Sequence, residues 1–150
     1  MAILGIGAGS MELVLNRIEY TEGETISGRA SLQLKENVKA RGLFIEFWAE
    51  KKETDSDGEG THIVTLHKQT LKLDDEKEYK IGENKFYEFN FQIPTTILQK
   101  PSKEGGLLNG AMNFFKNSSN KNISWYVEAK LDQKMAFDIR KKIKIIVKPL

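Results

Sequence analysis

Apolar and polar residues alternate at period two in segment after segment of this chain, and that alternation constrains the fold more than any other feature. Ile26, Gly28, Ala30, Leu32 and Leu34 fall on one side of a strand, with Ser27, Arg29, Ser31 and Gln33 on the other. Tyr87, Phe89, Phe91 and Ile93 alternate with Glu88, Asn90 and Gln92. Ile123, Trp125, Val127, Ala129 and Leu131 share a face, and so do Phe137, Ile139, Ile143, Ile145 and Val147. A helix cannot bury such a set, because its faces repeat at 3.6 residues. The pattern predicts about seven or eight strands separated by turns. That is an all-β, immunoglobulin-like antiparallel two-sheet β-sandwich with Leu32, Ile45, Phe89, Phe91, Trp125, Val127 and Ile145 in the shared core.

The irregular places are as informative. Val38 and Ala40 are followed by Leu43, Ile45, Phe47 and Ala49, so the apolar set moves from even to odd positions and a bulge near Gly42 is expected. Gly23 sits where a hairpin turn requires positive φ. His62 to Leu73 reads as a weaker strand or pair of strands, and 53–61 (ETDSDGEGT) as a polar hairpin loop. The stretch 95–122 is long for a connection. Leu107, Leu108, Ala111, Met112, Phe114 and Phe115 recur there at helical spacing, which predicts one short helix in the loop. Residues 1–10 are expected to form an N-terminal arm, and the 150 residues a single domain.

Composition excludes several classes of function. Twenty-three basic against 21 acidic side chains give a net charge of +2, too balanced for nucleic acid. Without cysteine there is no disulfide framework, thiolate ligand or cysteine nucleophile. The apolar opening MAILGIGAGS lacks a basic n-region, no run reaches the length of a transmembrane helix, and Ala2 is not an acceptor for myristate. A cytoplasmic protein is expected.

Catalytic and cofactor chemistry finds little support. Gly5, Gly7 and Gly9 precede a β-pattern, whereas a phosphate-binding glycine loop needs a strand before it and a helix after it. His62 and His67 lie five apart and point to opposite faces of a strand, so they cannot share a metal unless a bulge intervenes. Asp55, Asp57 and Glu59 resemble a calcium loop, but the twelfth position from Asp55 is Leu66 where a glutamate is required. No nucleophile elbow is present, and the two Asn-x-Ser sequons at Asn117 and Asn122 read as loop composition. No enzyme, cofactor or metal is expected.

Two surfaces remain as binding candidates. Leu107, Leu108, Met112, Phe114 and Phe115 form either a helix that covers an open end of the sandwich or an apolar surface for a partner or membrane. Arg140, Lys142, Lys144 and Lys148 share one face of the last strand. They would serve either as a patch for anionic lipid or phosphoprotein, or as lysines that discourage sheet-to-sheet aggregation.

Four places in order give the chain a family resemblance. These are Tyr20…Gly23-Glu24…Ile26…Gly28, then Val38…Ala40…Leu43…Ile45, then Phe89…Phe91…Ile93-Pro94 with Pro101-Ser102, and finally the run Trp125 to Leu131 (WYVEAKL). Together they resemble the N-terminal sandwich of the arrestin family, and the glycine-rich opening resembles that of the bacterial sporulation-control proteins, which are similar to arrestins. Arrestins carry two such sandwiches and this chain one; Glu22 stands where the family often has proline, and the family's buried charged switch has no recognisable counterpart. The resemblance implies a non-catalytic protein-interaction or scaffolding role, with peripheral binding to anionic lipid through 107–115 and the last strand as the alternative. A single sandwich leaves sheet edges to be covered by the 95–122 segment, by another protein or by a second copy, so a protein partner or homo-oligomer is expected.

Overall fold

A computed structural model of the protein describes residues 7–98 and 122–150. These residues form nine strands: β1 (Gly9–Leu15), β2 (Glu19–Thr21), β3 (Thr25–Leu34), β4 (Val38–Thr54), β5 (Thr61–Asp74), β6 (Lys77–Tyr79), β7 (Phe86–Gln92), β8 (Ile123–Gln133) and β9 (Ile139–Lys148). No helix occurs among the described residues, and the helix expected near 107–115 lies outside them.

The strands make two sheets, one in the order β1-β3-β7 and a larger one in the order β2-β9-β8-β4-β5, with β6 also paired to β4. Pairing is antiparallel except between β2 and β9. All seven residues expected in the shared core are buried, and Phe47 joins Phe91 of the smaller sheet to Trp125 of its own. The bulge near Gly42 is present: the β4–β8 register slips between Ala40 and Gly42, and the β4–β5 register between Leu43 and Phe44. Arg41 is the extra residue, and it carries the inward set from Ala40 to Leu43.

Two expectations need correction. Gly23 does adopt positive φ (89°), but the turn does not close a β2–β3 hairpin. β2 leaves the smaller sheet and runs parallel to the end of β9, pairing Tyr20 with Val147, while β3 pairs with β1 and β7. Tyr20 makes that departure possible. Its buried phenol donates to the Arg17 carbonyl oxygen (2.7 Å) and lies 2.5 Å from Asn16 Oδ1, so the chain corners sharply before β2. Period-two reasoning ran from Phe137 into the next strand, yet β9 begins at Ile139 and Phe137 is 69% exposed. The Gln133 amide donates to the Phe137 carbonyl oxygen (2.9 Å) and the Gln133 N–H to Asp138 Oδ1 (3.2 Å), which closes the hairpin around 134–137 and leaves that ring at its tip.

Candidate functional site

The outward face of the larger sheet concentrates the chemistry of the described residues. Register places Trp48 of β4 between Lys68 of β5 and Tyr126 of β8, with Lys144 of β9 beyond. In the next row Glu46 faces Glu128, flanked by Thr70 and Lys142, and the row after sets Phe44 between Lys72 and Lys130, with Arg140 beyond. Strand alternation puts every one of these side chains on the side away from the core.

Two carboxylates directly opposite each other repel unless cations intervene. Glu46 receives Lys68 Nζ at 2.9 Å and Lys130 Nζ at 3.3 Å. Burial raises the Glu46 pKa, but the two ammonium groups more than offset it and hold the carboxyl below its usual value. Glu128 has Arg140 Nη1 at 3.7 Å, and Arg140 also reaches Asp138 at 3.1 Å. Long cationic chains thereby roof both acids, which are 9% and 8% exposed. In the neighbouring row the Trp48 and Tyr126 rings stack at 5.3 Å and 29°, Trp48 Nε1 donates to Glu50 Oε2 (3.2 Å), and Lys142 Nζ sits 4.8 Å over the Tyr126 ring. A hollow of about 260 Å³ opens beside the stack, lined by Glu46, Trp48, Lys68, Glu128, Lys130 and Arg140, among others.

Of the basic residues singled out in the sequence, Arg140, Lys142 and Lys144 belong to this face. Lys148 lies at its end, paired with Glu19. Lys142 and Lys144 have no carboxylate partner among the described residues. Leu107, Leu108, Met112, Phe114 and Phe115 lie outside the described residues. The stack and the paired acids escaped sequence reasoning, because which strands are neighbours cannot be read from spacing along one strand. The signal available was the polar phase of β4 and β8, where Trp48 and Tyr126 interrupt charged residues.

The histidines are apart, but not on the opposite faces that their spacing implied: the register slip between Ala49 and Glu50 skips Leu66 and sets His67 opposite Ala49 and His62 opposite Glu53, on one face of β5. His67 packs edge-on against Phe47 at 5.8 Å, while His62 lies at the hairpin tip 2.7 Å from Asp55 Oδ1. Among the described residues no three ligating side chains converge on a metal-sized site. A second polar knot pins the open side of the sandwich. The Tyr87 hydroxyl donates to Asp74 Oδ2 (2.7 Å), Lys77 Nζ reaches the same oxygen (2.9 Å), and the Gln69 amide donates to the Gln92 carbonyl oxygen (3.1 Å). Burial first, then the hydrogen bond to Asp74 and the Asp74 charge, raise the Tyr87 pKa.

At another corner Glu22 is buried between chain segments. Its N–H donates to the Lys148 carbonyl oxygen (2.9 Å), and its Oε2 accepts from the Leu98 N–H (3.0 Å). The position that departs from the family's proline therefore ties the start of the long connection to the end of β9.

Sheet order, the parallel β2–β9 contact and the two-layer core define an arrestin-like β-sandwich. The family of SpoOM protein (Spo0M) matches residues 1–150, and the chain belongs to that sporulation-control family. Among solved structures it is similar to the crystal structure of Spo0M, sporulation control protein, from Bacillus subtilis, with a TM-score of 0.67 and 19% sequence identity. The match covers 97% of this chain and 51% of that one, so the chain spans about half the length of the Bacillus protein. No curated protein matches the sequence.

Proposed function

We propose that this chain is a non-catalytic protein-interaction module of the adaptor type, acting in the cytoplasm. One observation carries the reading. β5 (14 residues) pairs with β4 along one side, and its other edge has no backbone pairing with any strand among the described residues, although the Gln69 and Asp74 side chains tie it to β7. Ile63 (56% exposed) and Leu71 (39%) stand on it. Such an edge offers a row of backbone donors and acceptors to an added strand, from another protein or from a second copy. Membership in a sporulation-control family with an arrestin-like fold agrees with a regulatory rather than a chemical role.

The test is capture from native lysate with the wild-type chain and with Ile63→Lys/Leu71→Lys. A specific partner that the double variant loses supports strand addition. Equal capture by both chains removes the β5 edge from the reading, and light scattering of the wild type separates a second copy from a foreign partner.

A second reading, peripheral binding to anionic lipid, is favoured by the β8–β9 hairpin. Met135 (95% exposed) and Phe137 stand at its tip, and Lys142, which has no carboxylate partner among the described residues, lies further along β9. Co-sedimentation with vesicles that contain or lack phosphatidylserine tests it.

A further inference from the structure

We propose that the outward face of the larger sheet, centred on the Trp48–Tyr126 stack, is a docking surface for an acidic segment of a partner protein. The inference rests on the adaptor reading and names the chemistry of the partner. It starts from how charge is layered on this face. The acids are sunk: the Glu46 and Glu128 side chains are 11% and 10% exposed. The cations stand above them, with Lys68 at 57% and Arg140 at 52%, and Lys142 and Lys144 are exposed. A partner approaching from solvent therefore meets positive charge, although the strands carry both signs.

The aromatic pair supplies what a ring of lysines lacks. Trp and Tyr are the side chains that most often dominate binding energy, because each presents a large rigid area with few rotors to immobilise. Here the two rings are already stacked, with the Trp48 indole bonded to Glu50 and the Lys142 ammonium over the Tyr126 ring, so little ordering remains to oppose binding. The hollow beside them brings Lys68, Lys130 and Arg140 together around the neutralised carboxylates. A carboxylate from the partner can exchange for solvent at the exposed sides of these cations without breaking the Glu46 pairs. Lys142 and Lys144, which have no acid of their own among the described residues, add the long-range attraction. Thr65 and Lys68 belong to β5, so this face is continuous with the open edge, and one extended segment could contact both.

The experiment titrates the chain with a dye-labelled peptide of glutamate and aspartate with one tyrosine, and with its lysine-substituted counterpart, by fluorescence anisotropy at low and at physiological salt. The expected result is binding of the acidic peptide alone, weakened by salt. Lys142→Glu/Lys144→Glu should weaken it by about tenfold or more, with an unchanged melting temperature, because both side chains are exposed. Lys35→Glu/Lys80→Glu, at exposed loop and strand-end positions outside this face, should change it by less than about twofold. Trp48→Phe should keep the fold and weaken binding at either salt concentration.

Equal weakening by the two double variants means that net charge alone is read and overturns the site. So does failure of the acidic peptide to bind. Phosphatidylserine vesicles that bind in a Lys142- and Lys144-dependent way, when the peptide does not, assign the face to lipid and overturn the proposal. Lysate capture by Lys142→Glu/Lys144→Glu separates the two readings: if it retains every partner of the wild type, the adaptor function stands and this face is not its docking surface.

Discussion

Replacing Phe47 with alanine is the sharpest test of how the two sheets are joined. Phe47 is 0% exposed and lies 5.5 Å from Phe91, 5.6 Å from Trp125 and 5.8 Å from His67, measured between ring centroids. An aromatic side chain buries about 150–250 Å², of which alanine keeps a minority. At about 25 cal/mol per Å² the lost burial alone amounts to roughly 3–4 kcal/mol. The cavity between three rings and the loss of their mutual contacts push the cost to the upper part of the usual range of about 3–5 kcal/mol. A domain of this size has about 5–15 kcal/mol in total, so the variant should fold but sit near its limit. Urea unfolding followed by Trp fluorescence reads the effect directly, since Trp125 is a neighbour of the deleted ring. With a slope of about 2 kcal/mol per molar, the midpoint should fall by about 2 M. Phe137→Ala, whose ring is 69% exposed, should stay within about 0.5 kcal/mol of the wild type. A Phe47→Ala loss of under about 1 kcal/mol, or one no larger than that of Phe137→Ala, would show that the sheets are not held together through this cluster.

Other consequences follow from the same geometry. Gly28→Ala should destabilise by about 1–3 kcal/mol, because a Cβ there would lie 2.6 Å from Phe89 Cζ and 2.7 Å from the Val14 carbonyl oxygen; thermal melts check this. Tyr20→Phe should cost about 1–3 kcal/mol by removing the hydroxyl that the Arg17 carbonyl and Asn16 share, and chemical denaturation measures it. Stability should also fall with acid in two windows. Burial lowers the His67 pKa, so the unfolded chain binds the proton first and stability drops as pH falls through the ordinary histidine range; His67→Leu should flatten that limb. The Glu46 and Asp74 pKa values, which burial raises, are held below the usual carboxylate range by their ion-pair and hydrogen-bond partners. Their contribution is complete above that range and is lost as pH drops through their folded values; Glu46→Gln should reduce the second limb of a melting-temperature profile.

The strands were legible because a half-buried sheet forces its period on the sequence. The inward sets of β3, β7 and β8 follow from alternation alone, and even the slip at Gly42 leaves its mark as a change of phase. Pairing was not legible. Nothing local announces that residues 19–21 join the far sheet, since the cause is a phenol reaching back three residues to a carbonyl and a carboxylate, Glu22, that binds an N–H 76 residues away. Phe137 failed for a related reason. Its phase is correct for a strand, but side-chain bonds from Gln133 close the hairpin first.

The candidate face shows the same division between what one strand reveals and what register adds. In the sequence, Glu46 and Glu128 are two outward acids on separate strands, and each reads as solvated. Register sets them opposite one another, where repulsion would cost stability unless cations were recruited, and Lys68, Lys130 and Arg140 come from three different strands to do so. Once the acids are recessed beneath those chains, the exposed layer of the face is cationic and aromatic even though the whole chain carries a net charge of only +2. Net charge is thus a poor guide to the partner of such a sheet. What a partner meets is set by which sign is buried, and here the buried sign is negative.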